Sequence, residues 1–174
     1  MKVITAPERY EIQPNDICCF LAGGISGCPE WQQEVIKHLK DNPVENLVIF
    51  NPRRKEFHFN KLEDSIEQIK WEFEYLNKVD IFSIYFCKDS IQPICMYELG
   101  RYIEVMKRRF PDDYLNRIII SVERNYPRAM DVIYQVSLAL DDNDDDNIRY
   151  ITASVERHAM DINETARSLN HDKT

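Results

Sequence analysis

The chain has 174 residues, 44% of them hydrophobic and 30% charged, with a formal net charge of -8. This size and composition fit a single soluble globular domain with a core of its own. The charge argues against a DNA or RNA polymer as partner, which calls for a basic face, but leaves free nucleosides and nucleotides open as ligands.

Residues 1–16 are polar, with two prolines, and read as a loose N-terminal arm ahead of one domain over 17–174. They lack the apolar core of a secretory leader. No apolar stretch approaches the roughly 20 residues of a membrane span. A cytoplasmic protein is therefore expected. Residues 17–22 form a continuous apolar run, the mark of a strand buried on both faces of a parallel sheet. Pro29 suits the first turn of the next helix, on which Trp31, Val35 and Leu39 share one face. A second strand is expected at 47–50, followed by Asn51-Pro-Arg-Arg54 and a loop to about residue 60.

Residues 62–78 carry a helical pattern in which Ile66, Ile69, Phe73 and Leu76 make the apolar stripe. A third strand follows at 79–86, a helix at 94–109, a fourth strand at 117–122 and a helix at 129–140. The acidic run 141–146 reads as a solvated loop, since it lacks the spacing and closing glutamate of an EF-hand. A fifth strand is expected at 148–153 and a closing helix at 155–169. Strand and helix alternate throughout, which predicts an α/β domain with a parallel sheet covered by helices on both sides. Ligands of such sheets bind outside the carboxyl ends of the strands. The loops at 23–27, 51–54, 88–98 and 123–128 meet at that edge.

The five cysteines (Cys18, Cys19, Cys28, Cys87, Cys95) include no Cys-x-x-Cys pair, and the four histidines are scattered. Reduced, mostly buried thiols are expected, with neither a disulfide framework nor a zinc site. The four glycines fall in two places. Gly23, Gly24 and Gly27 lie in Phe20-Leu-Ala-Gly-Gly-Ile-Ser-Gly27, and Gly100 closes Tyr97-Glu-Leu-Gly100. Both segments read as strand-to-helix turns at the ligand edge. The first could wrap a sugar or phosphate with backbone N–H groups. It matches neither the dinucleotide fingerprint nor a P-loop.

Glu98 is expected near a helix N-terminus, where the dipole keeps a carboxylate ionised and fit to be a nucleophile. Its plainer reading is an acidic residue that merely favours the helix. Glu72 borders the apolar stripe of the preceding helix. There its pKa could rise and let it act as an acid, unless it is an ordinary surface glutamate. A pair of carboxyl groups is what glycosidic cleavage needs. Arg53 and Arg54 could meet a phosphate or stack on a base.

In combination these segments are specific. The chain resembles the nucleoside 2-deoxyribosyltransferase-like family in Phe20-Leu-Ala-Gly-Gly-Ile-Ser-Gly-Cys-Pro-Glu-Trp-Gln32, Phe50-Asn-Pro-Arg-Arg54, Gln68-Ile-Lys-Trp-Glu72, Val79-Asp80, Gln92-Pro-Ile-Cys-Met-Tyr-Glu-Leu-Gly100 and Tyr126-Pro-Arg-Ala-Met-Asp-Val132. The resemblance implies a single-domain flavodoxin-like or Rossmann-like parallel sheet of about five strands. It implies cleavage of the N-glycosidic bond of 2'-deoxynucleosides, with a nucleoside or nucleotide and a free nucleobase as small-molecule partners and no cofactor. Glu98 matches the nucleophile that forms a deoxyribosyl ester. Glu72 matches an acid, usually aspartate, that contacts the departing base. Gly23, Gly24, Ile25, Ser26 and Gly27 would line the base and sugar pocket, together with Trp31, Asn51, Arg53, Arg54 and Tyr97. Members are homo-oligomers, and Asp131 could match the residue that a neighbouring subunit adds to the sugar site. Cys19 stands about where the better-known branch carries a first-strand tyrosine that holds the nucleophile. Transfer and hydrolysis both fit these residues, as do nucleosides and 5'-monophosphates; the missing tyrosine leaves a third reading, a nucleotide-binding or sensing module that kept the pocket and lost the chemistry.

Overall fold

The computed structural model describes residues 1–55, 61–140 and 154–171. Among them five strands form one parallel sheet in the order β1-β3-β2-β4-β5. The strands are β1 (Lys2–Thr5), β2 (Ile17–Gly23), β3 (Leu47–Asn51), β4 (Ile81–Phe86) and β5 (Ile118–Val122). The helices are α1 (Trp31–Asp41), α2 (Leu62–Leu76), α3 (Pro93–Arg109), α4 (Ala129–Ala139) and α5 (Val155–His171). This is the expected flavodoxin- or Rossmann-like architecture. No helix among the described residues is long and apolar enough to cross a membrane.

The apolar runs of β2 to β5 are continuous because these strands are buried on both faces. Successive side chains point to opposite sides of a strand, so β2 divides cleanly. Cys18, Phe20 and Ala22 enter the core under α2, α3 and α4. Ile17, Cys19 and Leu21 enter a second core under α1 and α5. In this second core the ring of His158, fully buried on α5, lies 2.7 Å by Nε2 from the Ser83 hydroxyl of β4 and 2.6 Å by Nδ1 from the Ser121 hydroxyl of β5. Burial holds its pKa down, at about 3.

Two expectations are corrected here. The N-terminal segment is not a loose arm. Lys2–Thr5 pairs with β3, the Trp71 indole donates to the Glu8 carbonyl, and the Tyr10 amide donates to the Tyr75 hydroxyl. Among the described residues β1 thus completes the five-stranded sheet; the strand expected at 148–153 and the acidic run 141–146 lie outside the described residues. The stripe of α2 is also different. Its sheet-facing side is Gln68, Trp71, Tyr75 and Leu76, and Ile66, Ile69 and Phe73 are exposed. Two aromatic rings with polar tips fill the space over β2 and β3: Tyr75 stacks on Phe50, while Trp71 meets Phe50 edge-on and Phe20 at a tilt. Their indole and hydroxyl groups find partners in the N-terminal segment, which makes their burial favourable.

From β2 the chain steps outward to β3, then crosses back over β2 to β4. The carboxyl ends of β2 and β4 therefore flank the point where the connections diverge, the usual crevice for a ligand in such a sheet.

Candidate active site

The turn after β2 forms one wall of that crevice. Gly23 ends the strand with φ +141°, and a Cβ there would lie 2.3 Å from the Tyr85 carbonyl oxygen and 2.7 Å from the Trp31 ring. Only glycine satisfies both the dihedral and the close approach. A Cβ on Gly24 would meet the Cys28 sulfur at 2.3 Å and the Gln92 side chain at 2.6 Å. Trp31 is buried, stacks on Tyr85 with centroids 5.0 Å apart, and donates its indole N–H to the Gly24 carbonyl at 2.8 Å. Trp31 therefore shapes the turn from below. Ile25 is half-buried, and Ser26 and Gly27 are exposed at the tip. Gly100 departs from expectation: it lies inside α3 rather than in a turn, and a Cβ there would meet nothing within 4 Å.

The expectation of reduced thiols throughout is corrected by a disulfide between Cys28 and Cys87, whose Cα atoms are 6.3 Å apart. The two stand 59 residues apart in sequence. They meet only because parallel pairing of β2 with β4 brings the loops after both strands to one edge. Cys18, Cys19 and Cys95 are free and buried. Cys19 faces the α1–α5 core and lies in hydrogen-bond reach of Ser83, away from the carboxyl groups. Gln92 closes the same region. Its amide donates to the Cys87 carbonyl at 2.7 Å and to the Ser90 carbonyl at 3.1 Å. Tyr126 donates its hydroxyl to the Ile91 carbonyl at 2.6 Å, fixing the β4–α3 loop from the far side.

The two arginines after β3 have different tasks. Arg53 turns toward the glycine turn and donates to the carbonyls of Pro29, Ile25 and Cys28 and to the Gln32 side chain. Asn51, fully buried, accepts from the Arg53 amide at 3.0 Å. Arg54 points the other way, onto α2. Its Nε donates to Gln68 Oε1 at 2.7 Å, and its Nη1 pairs with Glu67 at 3.1 Å. Gln68 Nε2 donates in turn to Glu72 Oε1 at 2.7 Å and to the Pro52 carbonyl at 2.8 Å.

Glu72 and Glu98, on α2 and α3, are both half-buried and stand in each other's field. Burial, and then the Glu72 charge, push the Glu98 carboxyl up to about 8. This reverses the expectation of a dipole-stabilised carboxylate. Glu98 lies in the second turn of α3, beyond the first-turn N–H groups through which the helix field acts. Burial also raises Glu72, but the hydrogen bond from Gln68 and the Arg54 charge pull it back. Cys95 lies among these groups. Its thiol is pushed up to about 12 by burial and then by Glu98 and Glu72, while the backbone of Gly23 hydrogen-bonds to it. The glycine turn, the first turn of α3 and both carboxyl groups thus converge.

Two other candidates stand apart. Tyr97 is 63% exposed, with its hydroxyl 3.4 Å from Arg101. Asp131 pairs with Arg128 at 2.9 Å on the outer side of α4. Sequence reasoning missed Gln68, Gln92 and the disulfide. Only Gln68 left a signal, an amide one helical turn before Glu72.

The family model described as nucleoside 2-deoxyribosyltransferase like matches residues 17–110. This stretch runs from β2 to the end of α3 and includes the glycine turn, both arginines, Glu72 and Glu98. The segment 126–132 lies outside it. No curated protein matches the chain. The matched residues make up more than half of the chain and contain the whole carboxyl pair with its supports, and the protein belongs to the nucleoside 2-deoxyribosyltransferase-like family.

Proposed function

We propose that this protein cleaves the N-glycosidic bond of 2'-deoxyribonucleosides and transfers the deoxyribosyl group to another nucleobase. The observation that carries this reading is the electrostatically coupled pair Glu72 and Glu98 at the carboxyl edge of the sheet, in a chain of a glycosyl-transferring family. In the first step a carboxylate oxygen of Glu98 forms an ester bond with C1' as the C1'–N bond breaks. The bonding electron pair leaves with the base, which takes a proton from Glu72. In the second step a ring nitrogen of the incoming base attacks C1'. The ester bond breaks, Glu98 recovers its electron pair, and the proton of the incoming base passes to Glu72. The glycine turn walls the sugar from competing water.

Two carboxyl groups in one low-dielectric site hold a proton between them over a wide pH range. In the free protein that proton rests on Glu98, so the first step needs it moved to Glu72, which leaves Glu98 as the nucleophile and Glu72 as the acid. Nucleosides suit the site better than 5'-monophosphates, because Arg53 and Arg54 are both turned to protein acceptors. A second copy of the chain is proposed to cover α2, α3 and α4. Ile69, Phe73, Ile94, Tyr134 and Leu138 there are between 50% and 74% exposed, an apolar surface of the kind that marks an interface. In that assembly Asp131 would reach the sugar site of its neighbour.

The test is chromatographic. Purified protein is incubated with deoxyinosine or deoxycytidine, with and without adenine. A new deoxynucleoside is the expected product, and Glu98→Ala abolishes it while leaving the fold intact. Free base without a new nucleoside would convert the reading to a hydrolase. Turnover by a folded Glu98→Ala variant would overturn the role of the ester.

A further inference from the structure

The amide of Gln68 has one arrangement available to it. Its Oε1 accepts from Arg54 Nε at 2.7 Å. Its two N–H bonds go to the Pro52 carbonyl at 2.8 Å and to Glu72 Oε1 at 2.7 Å. Rotating the amide by half a turn would set donor against donor at Arg54 and acceptor against acceptor at Pro52. Buried polar groups left in that state are costly. The Gln68 side chain is itself buried against the sheet. Arg54 and Pro52 therefore fix which end of the amide faces Glu72, and that end is a donor.

A carboxyl oxygen that accepts a hydrogen bond from an N–H has its proton, when it has one, on the other oxygen. We infer that Gln68 is a positioning residue that reserves Oε1 of Glu72 as an acceptor and so makes Oε2 the oxygen that delivers the proton to the departing base. The chain Arg54–Gln68–Glu72 sets both the rotamer of the acid and the side from which it donates. Geometry of this kind decides whether a general acid is effective. The inference rests on the proposal that Glu98 attacks C1' and Glu72 protonates the base.

The balance of the step identifies the test. A leaving group that departs as a stable anion needs no proton, so it bypasses Glu72 and any residue that acts through it. The two substrates are deoxyinosine and 4-nitrophenyl 2-deoxyriboside, whose nitrophenolate leaves unprotonated. Gln68→Met keeps the length of the side chain and removes both polar ends. It is expected to lose about 10- to 100-fold in kcat/KM on deoxyinosine, part of the roughly 100- to 10000-fold that a positioned general acid supplies. On the nitrophenyl glycoside it stays within about threefold of wild type, because that step takes no proton from the acid. Its alkaline limb on deoxyinosine also moves to higher pH, since a carboxylate that has lost a donor holds its proton more tightly. Should the glycoside not be accepted, the pH profile decides alone.

Equal losses on both substrates, no loss on either, or an unmoved alkaline limb would overturn the inference. Gln68→Asn, one methylene too short to span Arg54 and Glu72, serves the same test if Gln68→Met does not fold. The underlying reading fails separately. Its failure shows as turnover of either substrate by folded Glu98→Ala, or as cleavage of neither by wild type.

Discussion

Glu98 stands in the electric field of Glu72 without a hydrogen-bond donor of its own among the described residues, and its carboxyl is pushed up to about 8 by burial and then by that neighbouring charge. A carboxyl raised in the folded state binds its proton more tightly there than in the unfolded chain. Between about pH 4.5 and 8 the folded protein therefore holds the extra proton, and stability falls as pH rises through that window. Glu98→Gln removes this dependence. It should melt higher than wild type at about pH 8.5, by roughly 2–4 °C per kcal/mol recovered. At about pH 4, where both states are protonated, the two should melt together. Transfer activity should fall by on the order of 1000-fold or more, as for a lost nucleophile. Thermal melts at the two pH values and a single-turnover assay check both halves. A uniform shift at all pH values would remove the electrostatic account.

Arg53 braces the glycine turn through three carbonyls and Gln32. Hydrogen bonds from a charged group contribute about 1.5–3 kcal/mol. Arg53→Ala should therefore cost on the order of 2 kcal/mol of stability and raise KM for nucleosides and monophosphates alike. Steady-state kinetics on deoxycytidine and its 5'-monophosphate separate the possibilities. A loss confined to the monophosphate would mean that Arg53 holds a phosphate instead.

The Cys28–Cys87 bond closes a loop of 59 residues in sequence separation. Loop-closure entropy gives such a cross-link about 4 kcal/mol. Cys28→Ser should lower the denaturation midpoint accordingly, and wild type in a dithiol reductant should approach it. The glycine turn proposed to line the substrate site is tied by the same bond, so KM should rise about tenfold if about 1.4 kcal/mol of preorganisation is lost. Urea titrations with and without reductant, beside intact mass under denaturing conditions, decide the matter. Free thiols at both positions in the untreated protein would refute it.

Ile69, on the outer side of α2, is 63% exposed. If a second copy covers this side, Ile69→Glu should weaken association by about tenfold or more, the cost of burying an unpaired charge. Sedimentation velocity reads this directly. Asp131→Ala should then lower turnover without changing association, and mixing it with inactive Glu98→Ala should restore part of the activity in mixed oligomers. A monomeric wild type would exclude the shared site.

Much of this architecture was legible in the chain, and the failures have physical causes. The run Ile17–Ala22 announces a doubly buried strand, and Trp31, Val35 and Leu39 announce the buried side of α1. Both expectations held, because period and burial are local properties. The side of α2 that meets the sheet was misread. Trp71 and Tyr75 are amphipathic, and their burial depends on Glu8 and Tyr10, more than 60 residues away. β1, Lys2–Thr5, has the β-branched residues of a strand but at four residues is too short to announce itself. It becomes a strand by pairing with β3. The positions of Glu72 and Glu98 could be anticipated, but their order of acidity could not, since it follows from Gln68, Arg54 and the depth of the second turn of α3. The disulfide joins two loops that only the crossover brings together.

The two cores separated by the sheet have unequal duties. Glu72, Glu98 and Cys95 all stand on the side of α2 and α3, whereas α1 and α5 meet across the other side around the neutral ring of His158. The sheet backbone insulates one layer from the other. An engineer seeking a hardier protein has a natural place to work: the part of the α1–α5 layer around Ile17, Leu39 and Leu169, away from Trp31 and the Cys28–Cys87 bond that support the glycine turn, can be repacked with little risk to the site, while the opposite layer trades robustness against chemistry.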